Sequence, residues 1–253
     1  MARTGGKVLK RVLVAVAIVV AALLVAFVWY VNDYNHADEV ALAVVADEDA
    51  SADGAIVEQL ESGDIAFVPE KPTAGLVFYP GAKVQPESYA PLLRECAQKG
   101  ILCVLVKPMF NLALLDVGAA DRAQSHYPEI ATWVVAGHSM GGVAASNYAA
   151  GHLDDVAGVV YLAAYPDADL SKYGGAALSI LATNDGCLRK DAYEAAKGKM
   201  PALTETVEIA GGNHAQFGNY GKQAGDGAAT ISREDQQAQT ADAIVDFVRS
   251  RPS

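Results

Sequence analysis

The sequence predicts a doubly wound α/β fold: a mostly parallel sheet, helices on both faces, and no large lid domain. Three observations predict it. From about residue 74 onward, short apolar runs alternate with segments of helical period, the pattern of repeated β-α units. Gly137-His138-Ser139-Met140-Gly141 sits where one such run meets one such helix. The residues able to do chemistry fall just past the ends of later runs, where a sheet of this kind gathers its ligands.

The elements follow in order. The first eleven residues hold Arg3, Lys7, Lys10 and Arg11 and no acid, and Val12–Val31 is then apolar for 20 residues. At 1.5 Å per residue that run spans a hydrocarbon core of about 30 Å. Trp29 and Tyr30 fall where an aromatic belt belongs. A cleaved signal peptide would have a shorter apolar core and a small-x-small cleavage site, and Val31-Asn32-Asp33-Tyr34-Asn35-His36 offers none. The expected layout is a cytoplasmic basic segment at 1–11, an uncleaved signal anchor at 12–31, a tether at 32–39 and a catalytic domain at 40–253. The basic flank keeps the N-terminus inside, so the domain faces outward from a single-pass anchor in the cell membrane. The acidic stretch Asn32–Asp53 reads as solvated.

Ala41–Val45 reads as a strand, and Ala55–Leu60 with Ile65–Val68 as a hairpin. Gly75–Tyr79 is apolar throughout, as in a strand covered on both faces. Pro86–Lys99 is a helix with Tyr89, Leu92, Leu93, Cys96 and Ala97 on one face, closed by Gly100. Strands follow at Ile101–Val106, Thr132–Ala136, Val156–Tyr161, Leu178–Ala182 and Thr206–Ile209. The last helix opens on Ser232 with Asp235 and buries Ala241, Ile244, Val245 and Val248. Only Pro166–Ala176 separates two strands where a helical cap would have to be inserted.

The chain is 52% hydrophobic and 19% charged, with net charge −11. Without the four leading cations, 15 Lys and Arg face 30 Asp and Glu. A domain near −15 argues against nucleic acid and against docking on anionic lipid. Cys96, Cys103 and Cys187 match no metal spacing, and the histidines are too scattered for a ligand pair, so neither a metal nor another cofactor is expected. One disulfide, Cys96 with Cys103, competes with buried free thiols.

Gly-x-Ser-x-Gly between a strand and a helix is a nucleophile elbow, a turn so tight that the serine hydroxyl stands clear of the sheet. Ser139 is the candidate nucleophile. A serine needs a base and an orienting acid. Asp185 lies just past the strand ending at Ala182, ahead of rivals Asp167, Asp169 and Asp191. His214 follows a Gly-Gly corner at the last strand's end, and no other histidine follows the acid. His36, His126 and His152 lie elsewhere, and His138 should point into the flank. Met140 N–H is one expected oxyanion donor. Ala82 N–H is the first choice for the other and Lys83 N–H the second. Lys83, Phe110, Asn111 and Phe217 are the candidate pocket residues, with Tyr220 beside Phe217.

Five segments carry a resemblance: Phe78-Tyr79-Pro80-Gly81-Ala82-Lys83-Val84, Lys107–Ala113, Gly137–Gly142, Thr183-Asn184-Asp185-Gly186 and Gly211–Gly218. Through them the chain resembles the alpha/beta hydrolase superfamily, and within it short bacterial membrane-anchored members of the alpha/beta hydrolase fold-5 family. The resemblance implies a Ser139-Asp185-His214 triad and a sheet of about eight mostly parallel strands. It implies no substrate, because this fold runs many chemistries. The expected activity is carboxylic-ester hydrolysis of a small-molecule substrate through an acyl-enzyme. A thioester, amide or lactone would use the same triad, and a non-catalytic tethered binding module is the reading from another class. Cys187 beside Asp185-Gly186 has no reading here.

Overall fold

The computed structural model describes residues 3–46 and 54–251. The chain divides into two compact units, Met1–Tyr34 and Asn35–Ser253. The first is one helix, α1 (Arg3–Asn32). Within Lys7–Asn32, 18 consecutive residues have a mean hydropathy of 3.1 and none of them is buried, so the helix is long and apolar enough to cross a membrane.

The second unit is built on an eight-stranded sheet in the order β1-β2-β4-β3-β5-β6-β7-β8. Strands β1 (Ala55–Gln59) and β2 (Ile65–Pro69) form the expected hairpin, and β2 runs antiparallel to β4 (Ile101–Leu105). The remaining pairings are parallel, through β3 (Ala74–Tyr79), β5 (Trp133–His138), β6 (Gly158–Leu162), β7 (Ala176–Ala182) and β8 (Leu203–Ile209). β3, β4, β5 and β6 are buried along their whole length, because helices cover both faces.

Alternating side chains of each strand feed two cores. Leu76, Phe78, Val134 and Ala136 pack against α3 (Ala90–Gln98) and α7 (Arg233–Arg249) through Leu92, Leu93, Ile244 and Val248. Val77, Tyr79 and Val135 face the other way, onto α4 (Ala119–His126) and α5 (Met140–Gly151) through Ala120, Ala123, Ala145 and Tyr148. On the same side Tyr193 of α6 (Lys190–Ala196) shares a hydrogen bond of 2.9 Å with Ser179 of β7. Ser232 caps α7 by accepting the Asp235 N–H at 3.0 Å, as the sequence implied.

The expected strand at Ala41–Val45 is instead a helix, α2 (Glu39–Ala46). Ala41, Val44 and Val45 fall on one face at helical spacing and pack on the core. Asp38 caps the helix by accepting the Ala41 N–H at 3.0 Å. That cap and the alanines outweigh the β-preference of the valines. Residues 35–38 are hydrogen-bonded to the domain rather than free, so the tether expected at 32–39 is not a solvated linker over that part. The rest of the acidic approach, 47–53, lies outside the described residues. The expected helix at 86–99 begins with a tight 3-10 turn over Pro86–Tyr89. Between β6 and β7 the chain runs from Ala163 to Gly175 without a helix or a strand. Cys96 and Cys103 are free thiols buried between α3 and β4, not a disulfide.

Candidate active site

Ser139 sits between β5 and α5 with φ 53° and ψ −121°, a region that L-residues avoid unless their surroundings force it. The packing forces it. A methyl group at Gly141 would overlap the Tyr79 carbonyl, and one at Gly137 would overlap the backbone of Gly141. Glycine at both positions lets the helix start directly against the strands. The Ser139 N–H is tied to Leu162 O at 2.9 Å, which anchors the turn on the neighbouring strand.

Asp185 lies in the turn after β7. Its Oδ1 accepts the N–H groups of Cys187 and Leu188 at 2.7 and 2.8 Å, and its Oδ2 meets His214 Nδ1 at 2.8 Å. The two side chains are 2% and 3% exposed. Burial alone would raise the Asp185 pKa. His214 and the two backbone donors more than offset it, so the carboxyl titrates below its usual range. The pair fixes the imidazole by its Nδ1 edge. Ser139 and His214 both line one cavity of about 190 Å³.

Gly81 N–H donates to the Tyr89 hydroxyl at 3.1 Å, Lys83 N–H to Asn111 O at 2.9 Å and Val84 N–H to Gly81 O at 3.3 Å. Lys83 N–H is therefore already committed. Among the described residues Ala82 N–H has no acceptor, and Met140 N–H, in the first turn of α5, has no intrahelical one.

The candidate pocket residues sit apart from that cavity. Lys83, Phe110, Asn111 and Phe217 do not line the cavity that holds Ser139 and His214; Val143, Ala163, Ala164, Tyr165 and Leu188 do, with Arg189 beside them. Phe217 is fully buried, its ring 5.6 Å from that of His138, so it packs behind the site. Tyr220 is buried on the same side. Lys83, Phe110 and Asn111 all have φ between 55° and 59°, and their strain shapes the two loops joined by the Lys83–Asn111 bond. An apolar residue next to a candidate histidine is as compatible with packing as with binding, so sequence could not separate the two.

Three supporting residues were given no role at the site by the sequence. Tyr89 accepts from Gly81 and lies 2.8 Å from Nδ1 of His138, whose ring is 4.4 Å from His214. Burial, and then repulsion from His214, hold the His138 pKa well below its ordinary value, so this second imidazole stays neutral. Asp226 accepts from Gly186 and His214 N–H through Oδ1, at 3.1 and 3.2 Å, and from Ala215 N–H through Oδ2 at 2.8 Å. It thereby ties the acid turn to the histidine turn. Gln236 of α7 brackets Asn213, accepting its N–H at 3.0 Å and donating to its carbonyl at 2.8 Å. The Gly-Asp-Gly setting of Asp226 was a turn signal that could have drawn notice.

Asp185, Cys187 and Asp226 place ligand-type atoms within 4.8 Å of one another. The carboxylate oxygens are already engaged by backbone donors and His214. Burial, helped by Asp226 and Asp185, pushes the Cys187 thiol up to about 11.

No curated protein matches the chain. The solved structure of a predicted CIB-like hydrolase from Thermoplasma acidophilum aligns with a TM-score of 0.54 at 13% identity, over 76% of this chain and 98% of that one. At that identity the likeness is one of fold. A family model for the alpha/beta hydrolase family matches residues 75–238, a stretch that takes in the Ser139 turn, Asp185 and His214. The chain belongs to the alpha/beta hydrolase family.

Proposed function

We propose that this protein is a serine hydrolase acting on carboxylic esters with short acyl groups. The observation that carries the reading is the strained Ser139 turn lining the same cavity as a histidine already gripped by a buried carboxylate. Ser139 Oγ bonds to the acyl carbon while its proton passes to His214 Nε2. Asp185 stabilises the imidazolium so formed. Negative charge collects on the acyl oxygen, where the N–H groups of Ala82 and Met140 are the unengaged donors. The tetrahedral adduct then expels the alcohol, which takes the proton from His214. Water, deprotonated by the same base, releases the acid and restores Ser139. The small cavity favours short acyl chains over long ones.

The same groups would open a thioester, an amide or a lactone, and only leaving-group preference separates these. We also propose that Val12–Val31, within α1, is a membrane anchor with the N-terminus cytoplasmic and the remaining chain outside. The support is its length, its hydropathy and the basic flank.

The test is hydrolysis of p-nitrophenyl acetate, butyrate and octanoate by the full chain in detergent, beside Ser139→Ala. Turnover of the two shorter esters should fall about 10³-fold or more in the variant. Equal activity in both proteins would sink the assignment of Ser139, and a preference for octanoate would sink the short-acyl reading.

A further inference from the structure

The stretch that sequence treats as a linker is built into the site. Asn35 lies alongside Val84 in a parallel bridge: its N–H donates to Lys83 O at 2.8 Å, and its carbonyl accepts the Gln85 N–H at 2.9 Å. Ala37 N–H donates to Gln85 Oε1 at 3.0 Å. These bonds hold the far end of the loop that carries Ala82. Three residues after Asn35, Asp38 does the same for the loop that carries His214. Asp38 N–H donates to Asn219 O at 2.8 Å, and Asn219 Nδ2 lies 3.3 Å from both Asp38 oxygens. Arg233, the first residue of α7, donates to Asp38 Oδ2 at 2.5 Å.

Asn219 is itself buried and fully engaged. Its N–H donates to Ser88 O at 2.7 Å and its Oδ1 accepts from Gln237 Nε2 at 2.8 Å. Gln237 also donates to Gln216 O. The carboxylate of Asp38 thus joins three things: the start of α2, the start of α7, and the loop five residues past His214.

We propose that residues 35–38 form a staple between the Ala82 loop and the His214 loop, and that Asp38 is a positioning residue for the hydrolysis proposed above. The two loops leave different strands, β3 and β8, from separate parts of the sheet. Neither strand pairs with the other, so the sheet alone does not set the distance between the oxyanion donor and the base. The staple crosses that gap with backbone hydrogen bonds at one end and an ion-paired carboxylate at the other. Asp38 titrates below its ordinary range: burial would raise it, but the Ala41 N–H, Arg233 and Asn219 lower it further, so the staple is charged at neutral pH. An acyl-transfer site tolerates little error in this distance, since a misplacement of about 1 Å can cost about 10²-fold in rate.

The inference rests on the triad reading, and its test keeps the two apart. Full-length protein in detergent is compared with Asp38→Ala, Asp38→Asn and Glu39→Gln, the last an exposed acid on the same helix and a control for charge. The readouts are kcat and KM for p-nitrophenyl butyrate, the rate of Ser139 labelling by a fluorophosphonate, and the thermal midpoint. Asp38→Ala should lower kcat and the labelling rate together by about tenfold, with KM within about twofold. Asp38→Asn, which keeps one acceptor oxygen but loses the ion pair, should fall between, and Glu39→Gln should match the parent. A merely structural Asp38 would move the midpoint and leave labelling of the folded protein unchanged. If Asp38→Ala does not fold, Asp38→Asn decides. Parental labelling rates in the folded Asp38 variants overturn the staple and leave the triad standing. Failure of the parent to label at Ser139 overturns the triad reading, and the staple with it.

Discussion

The His138 side chain is the x of the Gly-x-Ser-x-Gly turn, and its burial against Tyr89 and His214 has a consequence for acid stability. Its pKa in the folded protein lies well below 6.5, while in the unfolded chain it returns to that ordinary value. As the pH drops through 6.5 the unfolded chain takes up a proton that the folded protein refuses. Stability therefore declines on the acid side, by up to about 1.4 kcal/mol per pH unit. Asp185 acts lower: its contribution is complete above about pH 4 and disappears as the pH falls through its depressed folded value. Replacing His138 by Gln, which keeps a polar atom for Tyr89, should flatten the loss of stability between about pH 6.5 and pH 5. Urea unfolding at a series of pH values checks this. An unchanged slope would mean that His138 is protonated in the fold.

At the scale of elements, the elbow depends on how closely α5 approaches β3 and β5. Gly141→Ala places a methyl group where the Tyr79 carbonyl already is, and neither backbone can yield without moving a central strand. The expected result is destabilisation of about 3 kcal/mol or more, together with loss of the proposed hydrolysis, read from urea midpoints and p-nitrophenyl butyrate turnover. A stable, active Gly141→Ala protein would refute the close-packed elbow. These strands and this turn were legible because their residues satisfy two demands at once. Gly75–Tyr79 has to be apolar on both faces, and Gly137 and Gly141 have to lack side chains. Asp185 and His214 stood out as candidates for a related reason: each follows the end of a parallel strand, β7 and β8, and a sheet of this kind concentrates polar function there. Residues 41–45 misled because a short apolar run such as Ala-Leu-Ala-Val-Val suits a strand or a short helix equally. What decides is the Asp38 cap, and its partners Asn219 and Arg233 lie at the other end of the chain. Phe217 misled because a residue three positions past a candidate base can face either side of it.

At the scale of the whole molecule, the chain pairs one long apolar helix with a strongly acidic α/β unit. On the proposed anchoring, the full chain should stay in the pellet after alkaline carbonate extraction of membranes, and a chain shortened to begin at Asp33 should be released. Release of the full chain would end the anchor reading. The shortened form keeps Asn35 and Asp38, so it should also retain its turnover. Truncation beyond Asp38 removes the staple, and the lost activity would then report on loop placement rather than on the membrane.

The bare connection from Ala163 to Gly175 also supplies Ala163, Ala164 and Tyr165 to the cavity wall. It contains no helix or strand that would have to swing aside for a substrate to enter or for an alcohol to leave. On the proposed chemistry, the slow step is then bond making rather than a change of shape. Turnover should follow the acidity of the departing alcohol and respond little to solvent viscosity, as expected of an enzyme whose door is always open.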